Sequence, residues 1–129
     1  MAHPNEDLVR ESFAAFGRGD MDAMQKYWTD DIRYHVPGHS LLAGDYEGQK
    51  QMVGQLARSS ELTGGTFSAE MHDALVNDEH AAVMLTIRGE RAGKQLNENV
   101  VLVYHFRDGK IAEVWSHPTD QYAVDEFYS

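Results

Sequence analysis

The amino-acid sequence predicts a single α+β domain in which three N-terminal helices pack on a curved antiparallel sheet. Apolar residues recur at helical spacing up to Leu56, whereas from Thr66 onward apolar and polar residues alternate, as they do in strands with one buried face. Asp108-Gly109 lies between two alternating segments and is a strong hairpin signal. Helices followed by hairpin-linked strands indicate the α+β class.

Each predicted helix has its own start or stop signal. The first, from Asp7 to Gly17, ends at a glycine, and the second is short and begins at Asp20, a residue type that caps helix N-termini. The third ends in the polar cluster from Ser59 to Gly65. The apolar stripes consist of Leu8, Val9, Phe13 and Phe16, then Met21, Met24, Tyr27 and Trp28, then Met52, Val53 and Leu56.

The strands follow from alternation and from turn residues. The opening strand, Ile32 to Val36, ends at Pro37-Gly38 because proline lacks the N–H that a strand donates, and a loop then runs from His39 to Gly48. Three alternating segments follow, and Lys110 to His117 is the last strand. We expect the tail from Pro118 to Ser129, which carries three aromatic residues, to dock on the domain. The alternating segments contain Phe67, Ala69 and Met71, then Val83, Leu85 and Ile87, then Val100, Leu102, Tyr104 and Phe106.

Length and composition exclude several classes of protein. The 129 residues suffice for one domain with a hydrophobic core, and the absence of cysteine excludes a disulfide framework and a thiolate metal site. The net charge of −10 argues against nucleic acid or an anionic membrane as a partner. Met1 to Glu6 has no apolar signal core, and no run approaches the roughly 20 apolar residues of a membrane span. We therefore expect a cytoplasmic protein.

Two stretches resemble a known family. GDMDAMQKYWTDDIRYHVPGHSLLAGDYEG (residues 19–48) and FRDGKIAEVW (residues 106–115), together with the helix-first order, are similar to the SnoaL-like group of the nuclear transport factor 2 (NTF2-like) superfamily. The resemblance implies a cone-shaped, cystatin-like roll that encloses an apolar cavity, often in homodimers packed through the outer sheet face. Members that resemble this chain include polyketide cyclases, ketosteroid isomerases, epoxide hydrolases, dehydratases and binding proteins without activity.

The same resemblance argues against steroid isomerase activity and indicates that the functional residues lie near the last strand. The tyrosine, aspartate and second acid of the steroid isomerases fall on Ser12, Val36 and Leu102 here, so the groups needed for steroid isomerisation are missing. In the SnoaL cyclases the working acid and histidine lie in the last two strands, and the region that holds His117 and Asp120 is the nearest match.

The last strand supplies the candidate acid and base. It would present Ile111, Glu113, Trp115 and His117 on one face. A carboxylate beside apolar groups loses hydration, which raises its pKa toward neutrality, and histidine titrates there unaided. We therefore predict that Glu113 and His117 are catalytic. The alternatives are an ion pair for Glu113 and a strand cap for His117.

The strand before it supplies a phenol for the cavity. Its even positions include Leu102, which points inward in relatives, so we assign the even positions to the cavity and the odd ones, with His105, to the outside. We predict that Tyr104 is a catalytic donor to a ligand oxygen, the alternative being an ordinary buried ring. The ligand-binding residues that we expect are Phe16, Trp28, Tyr34, His35, Val36, His39, Glu98, Leu102 and Trp115.

Two neighbouring histidines do not predict a metal site. The Pro-Gly between His35 and His39 prevents the spacing that a zinc-binding helix uses, and no third ligand has a usable position. We expect neither a metal nor a cofactor.

The leading hypothesis is a cofactor-free enzyme that uses acid–base chemistry on a hydrophobic carbonyl compound, as a cyclase, isomerase or dehydratase. One alternative is a binding protein of the same shape for a small hydrophobic ligand. Another is a structural or accessory dimer whose cavity is filled by its own aromatic side chains.

Overall fold

A computed structural model describes residues 3–129 as four helices and six strands in one domain. The helices are α1 (Pro4–Gly17), α2 (Met21–Gln25), α3 (Gly48–Leu62) and α4 (Gln121–Phe127). The strands are β1 (Trp28–Val36), β2 (Gly44–Glu47), β3 (Ser68–Val76), β4 (His80–Arg91), β5 (Lys94–Arg107) and β6 (Lys110–Pro118). The predicted α+β class is confirmed.

The strands form one sheet in the order β2-β1-β6-β5-β4-β3. Every neighbouring pair is antiparallel except β1 and β6, which run parallel, so the prediction of a wholly antiparallel sheet is wrong at this pair. Parallel neighbours need a long connection, and helix α3 with the β3–β5 meander supplies it. This pairing brings Tyr34 beside Val114 and His35 beside Trp115.

The helix boundaries differ from the predicted ones for local reasons. Asp20 caps α2 as expected, its carboxylate accepting the backbone N–H of Ala23 at 3.0 Å. However, α2 ends at Gln25, so Trp28 belongs to β1 and not to the helical stripe. Helix α3 extends into the polar cluster and ends at Leu62, and Ser59 lies on its buried face.

The core lies between the helices and the inner face of the sheet. Val9 of α1, Met24 of α2 and Met52 of α3 pack in one cluster with inward-facing residues of the strands. A second cluster joins the tail to the domain through Phe127 and Tyr128. The predicted docking of the tail is therefore confirmed, although Tyr122 is 88 % exposed.

The hairpin between β5 and β6 combines a predicted turn with an unpredicted bulge. Asp108 and Gly109 both have positive φ, 53° and 74°, as a two-residue hairpin turn requires. Past the turn, His105 pairs with Glu113 but the next residue, Phe106, pairs with Ile111, so Ala112 is an extra residue in β6. A bulge of this kind shifts the following side chains to the opposite face of the strand.

Within residues 3–129, no helix has the length and apolar character needed to cross a membrane.

Candidate functional site

A cavity of about 120 Å³, partly open to solvent, lies in the interior between the helices and the inner face of the sheet. Its wall is mainly aliphatic and aromatic. The aromatic residues that line it are Phe13, Phe16, Tyr34, Phe67, Tyr104 and Tyr128, and the polar ones besides tyrosine are Ser40, Gln55, Ser59 and Ser116. Among residues 3–129, no aspartate, glutamate, histidine, lysine or arginine lines this cavity.

Five of the residues expected in the site lie in this wall, namely Phe16, Tyr34, Val36, Leu102 and Tyr104. Three strands position the two phenols, because Tyr34 of β1 and Tyr104 of β5 both pair with Val114 of β6. The phenols therefore flank Val114 in one row of the inner face. Two of the positions matched to the isomerase acids, Val36 and Leu102, lie in the same wall as apolar side chains.

The candidate acid and base lie elsewhere. Because of the extra residue Ala112, Val114 and Ser116 face the cavity, whereas Glu113, Trp115 and His117 face the outside of the sheet. The expectation that Glu113, Trp115 and His117 share the face of Ile111 is therefore wrong, and only Ile111 points into the core.

Four more candidates lie outside the cavity wall. Trp28 is buried in the core, and His39 is exposed, with its backbone N–H donating to Asp125 Oδ1 at 3.1 Å. Glu98 is half-buried and accepts a long hydrogen bond, 3.5 Å, from Thr119 Oγ1. His35 lies on the outer face of β1.

Two residues at positions that the resemblance singled out, Asp120 and Ser12, have structural roles. Asp120 caps α4, its carboxylate accepting the backbone N–H of Ala123 at 3.1 Å. The Ser12 hydroxyl is buried and donates to the backbone carbonyl of Val9 at 2.8 Å.

Several polar residues of the wall were not predicted. Met52, Gln55 and Ser59 are the buried positions of α3, and their i, i+3, i+7 spacing was a readable signal that Gln55 faces inward. Ser116 could not be found from the sequence, because its orientation depends on the bulge. Tyr128 of the tail also lines the cavity, and its hydroxyl lies 3.4 Å from Ser59 Oγ.

The two phenols of the sheet wall stay protonated at physiological pH. Burial raises the pKa of Tyr34 and that of Tyr104 well above the usual value of a tyrosine. A phenol in this state is a neutral hydrogen-bond donor. The cavity can therefore orient a ligand oxygen, but the described residues of its wall include no aspartate, glutamate or histidine that could take up a proton near neutrality.

His35 joins three strands on the outer face. Its Nδ1 lies 2.7 Å from Asp45 Oδ1 on β2, and its Nε2 lies 2.6 Å from Glu113 Oε2 on β6. The imidazole also stacks on Trp115, with 5.3 Å between ring centroids. Partial burial lowers the pKa of His35, but the hydrogen bonds and charges of Asp45 and Glu113 raise it by more, so the pKa lies above its ordinary value. A protonated imidazole donates to both carboxylates.

We expect this cluster to make stability depend on pH. Because the pKa of His35 is higher in the folded chain than in the unfolded chain, its stabilising effect is complete below the ordinary value of about 6.5 and is lost as pH rises through the folded pKa. Urea unfolding of wild type and His35→Gln at about pH 5.5 and pH 9 measures this effect. The difference in unfolding free energy between the two proteins should shrink at the higher pH, and an equal difference at both would contradict the assignment.

In the part of the chain that the structure describes, no group of three His, Asp or Glu side chains could hold a metal ion, and this includes His35 with Asp45 and Glu113. The homodimer that the resemblance implies through the outer face stays a prediction, and sedimentation equilibrium measures it.

Known proteins are similar to this chain in sequence and in fold. Residues 9–114 match the SnoaL-like domain family. The uncharacterized protein Rv0034 of Mycobacterium tuberculosis is 31% identical over 124 residues, which cover 95% of this chain and 95% of that protein.

Two solved structures have the same fold. Bal32a, from a soil-derived mobile gene cassette, is 33% identical with a TM-score of 0.94, and the match covers 98% of this chain and 97% of that chain. A protein of unknown function with a cystatin-like fold from Xanthomonas campestris is 25% identical with a TM-score of 0.89, covering 97% and 98%. The match over residues 9–114 shows that this chain belongs to the SnoaL-like domain family, and the solved structures show that it has an NTF2-like, cystatin-like fold.

Proposed function

We propose that this protein binds a small, neutral, largely apolar ligand in its interior cavity. The composition of the cavity wall carries the proposal: aliphatic and aromatic side chains surround the two protonated phenols of the sheet, the hydroxyls of Tyr128 and three serines, and one buried amide. Among the described residues, no aspartate, glutamate, histidine, lysine or arginine lines the cavity. Apolar walls with a few polar groups are typical of small-molecule sites, in which the polar groups orient the ligand.

The size of the cavity argues against a purely structural role. A cavity of about 120 Å³ is unfilled although Phe16, Tyr34 and Tyr104 line it. Unfilled volume costs stability, because the side chains around it lose packing contacts. A domain with only a structural role in a dimer would be more stable if larger side chains filled this cavity.

Acid–base catalysis is the second candidate, and the two phenols favour it. A phenol that keeps its proton could donate to a carbonyl oxygen and stabilise negative charge that develops there. Such an enzyme also needs a base beside the substrate, and Glu113 and His117 lie across the sheet from the cavity. Binding requires only the groups that the wall contains, which is why we prefer it.

Titration with acetophenone by isothermal calorimetry tests the proposal. We expect saturable binding of one molecule per chain. Glu113→Gln and His117→Ala should keep the affinity within about twofold, because substitutions away from a site change free energies by only a few tenths of a kcal/mol. The proposal would be contradicted if no neutral one-ring compound bound, or if Glu113→Gln and His117→Ala lost the binding of acetophenone.

A further inference from the structure

The helix wall of the cavity presents a polar group that has no partner. Gln55 lies on the buried stripe of α3, is 6 % exposed and lines the cavity. Its side-chain oxygen forms no hydrogen bond with any described residue, whereas the neighbouring Ser59 lies beside the Tyr128 hydroxyl. A buried polar atom without a partner destabilises a fold. Among the described residues two such side-chain atoms occur, Thr29 Oγ1 and Gln55 Oε1, and only Gln55 belongs to the cavity wall, which suggests that a ligand satisfies it.

The sheet wall presents a second set of unpartnered groups. The Tyr46 hydroxyl donates to the backbone carbonyl of Leu42 at 2.8 Å, and the Tyr128 hydroxyl lies 3.4 Å from Ser59 Oγ. In residues 3–129, by contrast, the hydroxyls of Tyr34 and Tyr104 form no hydrogen bond, and Tyr104 is 6 % exposed. Both phenols are protonated and lie in one row on either side of Val114. This wall therefore offers hydrogen-bond donors to a ligand.

Charge and size narrow the ligand further. An ionised ligand would lose its hydration inside the cavity and find no counter-charge among the described residues of the wall. The volume of about 120 Å³ is close to that of the roughly 150 Å³ apolar cavities that hold one benzene ring. A neutral compound with a single ring therefore fits the site.

From these three observations we infer the class of ligand, an inference that rests on the proposed binding function. The ligand is a neutral one-ring compound with two polar ends. A carbonyl oxygen at one end accepts from the phenols of Tyr34 and Tyr104, and a hydroxyl or N–H at the other end donates to the amide oxygen of Gln55. A hydroxyaryl ketone is the simplest member of this class.

A matched set of probes tests the inference by calorimetry. 4-Hydroxyacetophenone has both groups, acetophenone has only the carbonyl, 4-methylphenol has only the hydroxyl, and 4-ethyltoluene has neither. We expect 4-hydroxyacetophenone to bind about tenfold more tightly than either single-group probe, because it satisfies both walls. The anion 4-hydroxybenzoate should bind more weakly than all the neutral probes.

Two variants assign each end of the ligand to a wall. Gln55→Leu should remove the advantage of 4-hydroxyacetophenone over acetophenone, and Tyr34→Phe combined with Tyr104→Phe should remove its advantage over 4-methylphenol. Circular dichroism checks that each variant folds, and the four neutral probes on the wild-type protein provide a test that needs no variant.

The outcomes separate this inference from the function on which it rests. Equal affinity for all four neutral probes would overturn the two-ended ligand and leave the binding function intact. Tightest binding of 4-hydroxybenzoate would overturn the neutral class. Absence of binding by every probe would overturn the proposed function and the inference with it.

Discussion

Replacing Ser116 with phenylalanine is expected to weaken acetophenone binding by about a hundredfold or more, a loss of roughly 3 kcal/mol. Ser116 is a small side chain on the cavity face of β6, opposite Leu102 of β5. A phenyl ring placed there takes up most of a void of about 120 Å³, so no ring-sized ligand fits beside it. Calorimetric titration of the variant measures the loss.

The neighbouring position supplies a matched control. His117→Phe adds a ring to the same strand, but on the exposed outer face. It should bind acetophenone like the wild type, and circular dichroism should show both variants folded. Loss of binding in His117→Phe together with normal binding in Ser116→Phe would place the ligand on the outer face of the sheet and contradict the proposal.

Replacing Trp28 with alanine is expected to give the largest loss of stability, about 3–5 kcal/mol, because it leaves a cavity the size of an indole in the core. Trp28 is 1 % exposed at the start of β1, where it pairs with the equally buried Ile111. For a domain of this size the midpoint of thermal unfolding should fall by about 10 °C or more. Thermal denaturation followed by circular dichroism measures the shift.

The same substitution at the other tryptophan, Trp115, provides the control. Trp115 lies half-buried on the outer face, where it stacks on His35 and contacts His105. Trp115→Ala should therefore cost clearly less than Trp28→Ala. Equal losses in the two variants would contradict the assignment of Trp28 to the core and of Trp115 to the outer face.

Local signals in the sequence are sufficient to predict those features of the structure that depend on neighbouring residues. The Asp20 cap and the Asp108-Gly109 turn follow from residues close together in the chain, as does the placement of Leu102 and Tyr104 on one face of β5. The resemblance to relatives assigned that face to the cavity. Turn conformation, helix capping and strand alternation are set by short-range sterics and burial, which is why these predictions agree with the structure.

The orientation of β6 could not be predicted in the same way. Alternation from Ile111 places Glu113 and His117 on the cavity face, but the extra residue Ala112 shifts both to the outside. Whether a strand contains a bulge depends on its pairing with a neighbour, and here the pairing with β5 changes between His105 and Phe106. Of the three predicted catalytic residues, Tyr104 therefore lines the cavity, whereas Glu113 and His117 lie on the outer face.

The parallel pairing of β1 with β6 is the second feature that local signals miss. Its partners, such as His35 and Trp115, are distant in sequence, and their contact depends on the whole meander being in place. The cluster of His35 with Asp45 and Glu113 follows from this pairing. The sequence could therefore suggest an ion pair for Glu113 without naming its partner.

The location of bound acetophenone tests the central claim most directly, and intermolecular nuclear Overhauser effects to valine methyl groups measure it. Val100 and Val114 line the cavity, whereas Val101 and Val103 lie on the opposite face of β5. We predict effects from the acetophenone ring to the methyl groups of Val100 and Val114 and none to those of Val101 and Val103. Effects confined to Val101 and Val103 would contradict ligand binding in the interior cavity.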